Sequence, residues 1–202
     1  MNESCAHRQA RGGWAEDREL LRCSFPIGPR NTWSNLAYPL VGLWIFAANP
    51  SSPGARYVAI AFLALGIGSG LYHGLKTRWA NALDLLGMYL VFGALAARGV
   101  WPAAESWPLM VLVGGTLALL FVGAFPRAVD LQVAALGLVA TIPALLHGDP
   151  RLALVAFSLF GLSFLAWQLD HARKLVGLWG HAIWHALTAL GAGLLYFAQG
   201  AT

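Results

Sequence analysis

Long apolar stretches separated by short polar joints make up most of this chain. The apolar stretches run over residues 31–49, 54–76, 79–98, 105–124, 128–147, 150–169 and 177–199. Each approaches the ~20 residues that an α-helix needs to cross a bilayer. No stretch alternates apolar and polar residues with the period of two that a barrel strand requires. An open strand edge finds no hydrogen-bond partner in hydrocarbon, so the spans are predicted to be helices. The expectation is an all-α polytopic membrane protein, with a seven-helix transmembrane bundle over residues 31–200. A polar N-terminal segment over residues 1–30 precedes it. That segment lacks an apolar h-region and is not read as a signal peptide.

Composition agrees with the pattern. Of 202 residues, 58% are hydrophobic and 11% are charged, whereas a soluble domain carries about 25% charged residues. Cys5 and Cys23 both lie in the polar segment. Two cysteines do not make a disulfide framework, and they are read as ordinary thiols.

Charge sets an orientation. If the spans alternate in direction, ten of the 13 Lys and Arg fall on the side of the N-terminus. Arg56, Arg98 and Arg151 fall on the other. The positive-inside rule then predicts a cytoplasmic N-terminus and a C-terminus outside. The net charge of +4 thereby has a membrane explanation. No aromatic-and-basic module points to nucleic acid, and no protein partner is evident. So compact a chain suits a prokaryotic inner membrane.

Against this background the polar residues inside spans stand out, because ionisable groups in a membrane are costly and mark functional sites. Ser69 and His73 lie four residues apart near the inner end of the second span. Asp84 lies about one turn into the third, and His181 and His185 lie in the first turns of the last. Spacing of i and i+4 puts each pair on one helical face. Counting lengths and alternating directions brings all five groups to one depth, near the inner leaflet.

Three histidines at one depth suit zinc, which imidazole binds well, and a helical HxxxH aims two rings at one point. Three protein ligands leave a fourth position for water, the pattern of catalytic sites. Zinc lowers the pKa of that water to about 7. Asp84 is the candidate general base, and Ser69 a candidate hydrogen-bond donor to a developing oxyanion. Each element alone has a plainer account. HxxxH occurs by chance, a membrane serine often bonds its own backbone, and an aspartate near a helix start favours the dipole. His7, His147 and His171 fall in the tail or at loop ends and are left to such accounts. Asn31, Ser34, Asn35 and Tyr38 are read as interhelical hydrogen-bonding groups of the first span. Gly66, Gly68 and Gly70 are read as allowing close helix approach or room for a lipid tail.

The motifs also carry a resemblance. "SGLYH" at residues 69–73, Asp84 eleven residues after His73, "HAIWH" at 181–185 and "NTWSNLAYPL" at 31–40 together resemble the alkaline ceramidase family. That family belongs to a superfamily of seven-span hydrolases that includes the adiponectin and progestin receptors. The resemblance spans residues 14–199. It implies that His73, His181 and His185 hold zinc, with Ser69 and Asp84 beside the metal. It implies hydrolysis of the amide of ceramide, or a related long-chain lipid, to a sphingoid base and a fatty acid. The bundle would enclose the lipid tails. Ceramidases also hold calcium near the N-terminus. Here "GWAEDREL" keeps Trp14, Glu16, Asp17 and Glu19, but Arg18 falls within the acidic cluster. Gly28 and Arg30 stand where a carboxylate and an aromatic residue would be expected. Calcium requires six or more oxygens, so no residues are assigned to it.

Other classes fit less well. A rhomboid-type serine protease needs G-x-S-G and one histidine, yet position 67 is Ile67 and two histidines would go unused. Di-iron lipid desaturases use many more histidines than the three clustered here. The remaining alternative is a zinc-containing receptor or sensor of the adiponectin-receptor type, with little or no catalysis.

Overall fold

The computed structural model describes residues 24–100, 115, 129–171 and 179–200. Numbered in chain order, the described helices are α1 (Pro29–Ser34), α2 (Ala37–Ala48), α3 (Pro53–Leu75), α4 (Arg78–Val100), α5 (Val129–His147), α6 (Pro150–His171) and α7 (Gly180–Ala198). The protein is all-α as expected. Among the described residues, α3, α4 and residues Pro150–Asp170 of α6 are long and apolar enough to cross a membrane. The predicted span 105–124 lies outside the described residues except for Gly115, as do Cys5, Cys23, Trp14, Glu16, Asp17, Arg18 and Glu19.

Local chemistry explains several helix ends. Ser52 caps α3 by accepting the Ala55 N–H at 3.3 Å, and Pro53 opens that helix without needing a donor. Asp149 does the same for α6, accepting from the Arg151 and Leu152 N–H groups at 2.9 and 3.2 Å. Lys76 closes α3 in the left-handed region, at φ 52°, and its N–H reaches the Tyr72 carbonyl at 2.7 Å.

The first predicted span differs from expectation. Residues 31–49 were expected to form one helix, but the chain breaks between α1 and α2 at Asn35 and Leu36. Pro39 supplies the reason. It has no N–H to bond the Asn35 carbonyl, and its ring would crowd that carbonyl in a continuous helix. The Asn35 carbonyl instead accepts the Tyr38 N–H at 3.2 Å.

Small residues fill the interior and large ones face outward. Ala55, Ala61, Ala94, Ala140, Ala144, Ala153, Ala156, Ala189 and Ala192 are buried around Ile45, Phe62, Leu65, Leu95 and Leu195. Leu40, Ile60, Leu146, Leu154, Phe157 and Phe164 are exposed. A water-soluble bundle would reverse this arrangement. It is the arrangement of helices that gain by close backbone contact and leave bulky side chains to lipid. The packing between α3 and α4 is close. A Cβ at Gly68 would lie 2.6 Å from the Leu83 carbonyl oxygen, and one at Gly87 would lie 2.5 Å from the Leu65 Cα. This contact brings the end of α3 against the start of α4. The α7 helix packs on α2, α6 and the short α1, and its start meets α1 and the end of α3 at one end of the bundle.

Candidate metal centre

At that end the three expected histidines converge. His73 and His185 are fully enclosed, and His181 nearly so. Their ring centroids are 4.8 Å apart for His73 and His181, 5.0 Å for His73 and His185, and 4.6 Å for His181 and His185. One ring nitrogen from each falls in a group whose members all lie within 4.8 Å of one another. Among the described residues this is the group of His, Cys, Asp or Glu side chains able to hold a metal ion.

Two observations test whether a metal fits. Nε2 of His73 lies 3.3 Å from Nε2 of His181. Four-coordinate zinc, with Zn–N of about 2.0–2.1 Å, separates two nitrogen ligands by about 3.3–3.4 Å. Nε2 of His185 is buried with no hydrogen-bond partner. A buried nitrogen without a partner is costly, and a shared cation would satisfy it. The residues present therefore fit a metal ion held by three imidazoles.

Each ring has its own setting. Ser34 Oγ lies 2.7 Å from Nδ1 of His185. The ammonium of Lys76 lies 3.1 Å from Nδ1 of His73 and 4.9 Å from the centre of the Tyr72 ring. His181 packs against Trp184 with centroids 5.1 Å apart. Just before it, Gly180 packs on the buried side chain of Asp170, where a Cβ would lie 2.7 Å from the Asp170 Cβ.

Ser69 and Asp84 also meet. Ser69 is buried and neighbours the Asp84 carboxylate. His73 and Lys76 lie within electrostatic reach of that carboxylate. Asp84 is not among the clustered ligand atoms, so it neighbours the centre without forming part of it. Gly68 lets this pair form, because any side chain there would press on the backbone of Leu83 and Asp84. A Cβ at Gly66 would meet Pro39 and one at Gly70 would lie 3.7 Å from the Thr32 oxygen, so α1 and α2 take up the space beside these glycines.

The segment before α1 closes the same end. The N–H groups of Ile27 and Gly28 donate to the Gly74 and His73 carbonyls at 2.9 and 3.0 Å, capping α3 from outside. Arg30 places its guanidinium 5.2 Å from the centre of the Trp179 ring. Asn31 and Asn35 are buried, and Tyr38 packs 6.1 Å from the His185 ring.

Sequence reasoning did not connect Ser34, Lys76 or Asp170 with the histidines. Ser34 was grouped with the first-span polar residues, and Lys76 served only to assign orientation. The only signal for Lys76 was its spacing of three residues from His73. No known family model matches the chain, and no curated protein sequence matches it.

Proposed function

We propose that this chain is a zinc-dependent intramembrane hydrolase that cleaves the amide bond of ceramide or a related lipid amide. The products would be a long-chain base and a fatty acid. The observation that carries the reading is the cluster of three buried imidazoles, with Ser69 and Asp84 beside it. His73, His181 and His185 would hold the ion. Borderline imidazole ligands and the 3.3 Å nitrogen separation favour zinc. When bound, zinc supplies Lewis-acid polarisation of a carbonyl and a water acidic enough to react near neutral pH.

The remaining work falls to the chain's own groups. Asp84 accepts the proton of the attacking water and returns it to the leaving nitrogen. Ser69, beside Asp84, can donate a hydrogen bond to that carboxylate or to the developing oxyanion. The apolar bundle excludes bulk water and offers hydrocarbon contact to acyl chains. The distribution of Lys and Arg supports placing this end of the bundle at the cytoplasmic leaflet.

The test is release of fatty acid by the purified protein from long-chain lipid amides, with esters assayed in parallel. Turnover lost in His181→Ala and in Asp84→Ala supports the hydrolase. Lipid binding without turnover would favour a receptor or sensor instead.

A further inference from the structure

Ser34 makes two hydrogen-bond contacts that together dictate which nitrogen of His185 is free. Its Oγ lies 3.0 Å from the Asn31 carbonyl oxygen and 2.7 Å from Nδ1 of His185. The Asn31 carbonyl belongs to the last turn of α1. It accepts the Asn35 side-chain amide at 2.6 Å as well as the Ser34 hydroxyl. A carbonyl can only accept. A serine hydroxyl has one hydrogen, so once Ser34 donates to Asn31 it must accept from His185. That places the His185 proton on Nδ1 and leaves Nε2 with a bare lone pair. Nε2 is the buried nitrogen that has no hydrogen-bond partner, on a ring that shares the cluster with His73 and His181.

We propose that Ser34 is a positioning residue that selects the metal-binding tautomer of His185. The relay runs from the His185 Nδ1–H to the Ser34 oxygen, and from the Ser34 hydroxyl to the Asn31 carbonyl. The opposite tautomer would put a hydrogen on Nε2, aimed among the other two imidazoles, and block a cation. This role rests on the metal centre proposed above. It goes beyond that centre by assigning the residue that readies one ligand before any ion arrives. Outer hydrogen-bond partners of ligating histidines fix ring orientation and tautomer, and their loss commonly costs about 10–100-fold in metal affinity.

Nitrogen-15 NMR of the full-length, metal-free protein labelled at histidine reads the tautomer directly, with the His185 signals assigned by their loss in His185→Ala. The expected result is a protonated Nδ1 and an unprotonated Nε2. Zinc affinity, measured by competition with a chelator, should fall about 10–100-fold in Ser34→Ala. It should stay within a few-fold of the parent in Ser34→Thr, which keeps the hydroxyl. A proton on Nε2 in the parent protein overturns the proposal without any variant. Unchanged affinity in Ser34→Ala overturns it as well, as does a Thr variant as weak as Ala, because the loss would then belong to packing. If the parent chain takes up no zinc, the metal reading itself fails. If it takes up zinc and either Ser34 result fails, only the role of Ser34 falls.

Discussion

The Lys76 ammonium lies 3.1 Å from Nδ1 of His73. The ring that turns one edge to the candidate metal centre therefore turns its other edge to a cation. An ammonium can only donate, so Nδ1 accepts, and a neutral His73 carries its hydrogen on Nε2, opposite His181. Loading a metal through that nitrogen requires Lys76 to release the ring. Lys76 thus opposes metal binding at His73, whereas Ser34 prepares His185 for it.

Replacing Lys76 by Met should strengthen metal binding. A unit charge roughly 6–7 Å from a dication costs about 1.3 kcal/mol even at the dielectric constant of water, which is close to tenfold in affinity. Met retains the unbranched side chain at the left-handed position, so the change isolates the charge. Chelator competition measures it, and an affinity equal to or below that of the parent would remove the antagonism.

Gly68 and Gly70 should respond differently to alanine. At Gly68 the new Cβ meets the backbone of Leu83 and Asp84 at 2.6 to 3.0 Å, and backbone cannot rotate away. Gly68→Ala should cost about 1–3 kcal/mol through overpacking and separate Ser69 from Asp84. At Gly70 the nearest atom is 3.7 Å away, so Gly70→Ala should leave thermal unfolding and turnover close to the parent values. Equal behaviour of the two variants would contradict the α3–α4 contact described above.

Asp84→Asn should retain zinc, because the carboxylate is not one of the clustered ligand atoms. Its turnover should drop by about 10²–10⁴, the range for loss of a general base. Ser69→Ala should also retain zinc and lose about 10²-fold, the cost of a misplaced catalytic group. Metal analysis alongside the hydrolysis assay separates these losses from loss of the ion.

At the far end of the bundle, Gln199 joins three helices. Its side-chain amide donates to the Leu95 and Ala140 carbonyls at 2.8 and 3.0 Å. Nearby, Arg98 donates to the Gly200 carbonyl and lies 4.5 Å from the centre of the Tyr196 ring. Gln199→Leu removes both donors and should lower stability by about 1–3 kcal/mol with zinc stoichiometry unchanged. Thermal unfolding in detergent, read with metal content, checks both parts.

The sequence alone carried the helical class and the identity of the clustered histidines. Both are local properties. Apolar length and the absence of a period-two pattern call for helices, and i, i+4 spacing sets His181 and His185 on one face. The meeting of His73 with that pair could also be anticipated, because direction and depth follow from counting residues. The division of the first span was partly legible in Pro39, whose missing N–H marks a place where a helix can break.

Tertiary structure alone decided which side chains reach the free edges of those rings. Ser34 and His185 are 151 residues apart. Their contact depends on how α1 and α7 are rotated about their own axes, which helical periodicity does not specify. Lys76 ends α3 in a left-handed conformation, for which lysine carries no preference. Gly68 becomes decisive only once the backbone of α4 lies against it. Periodicity places a residue on its own helix, whereas packing between helices determines what that residue touches.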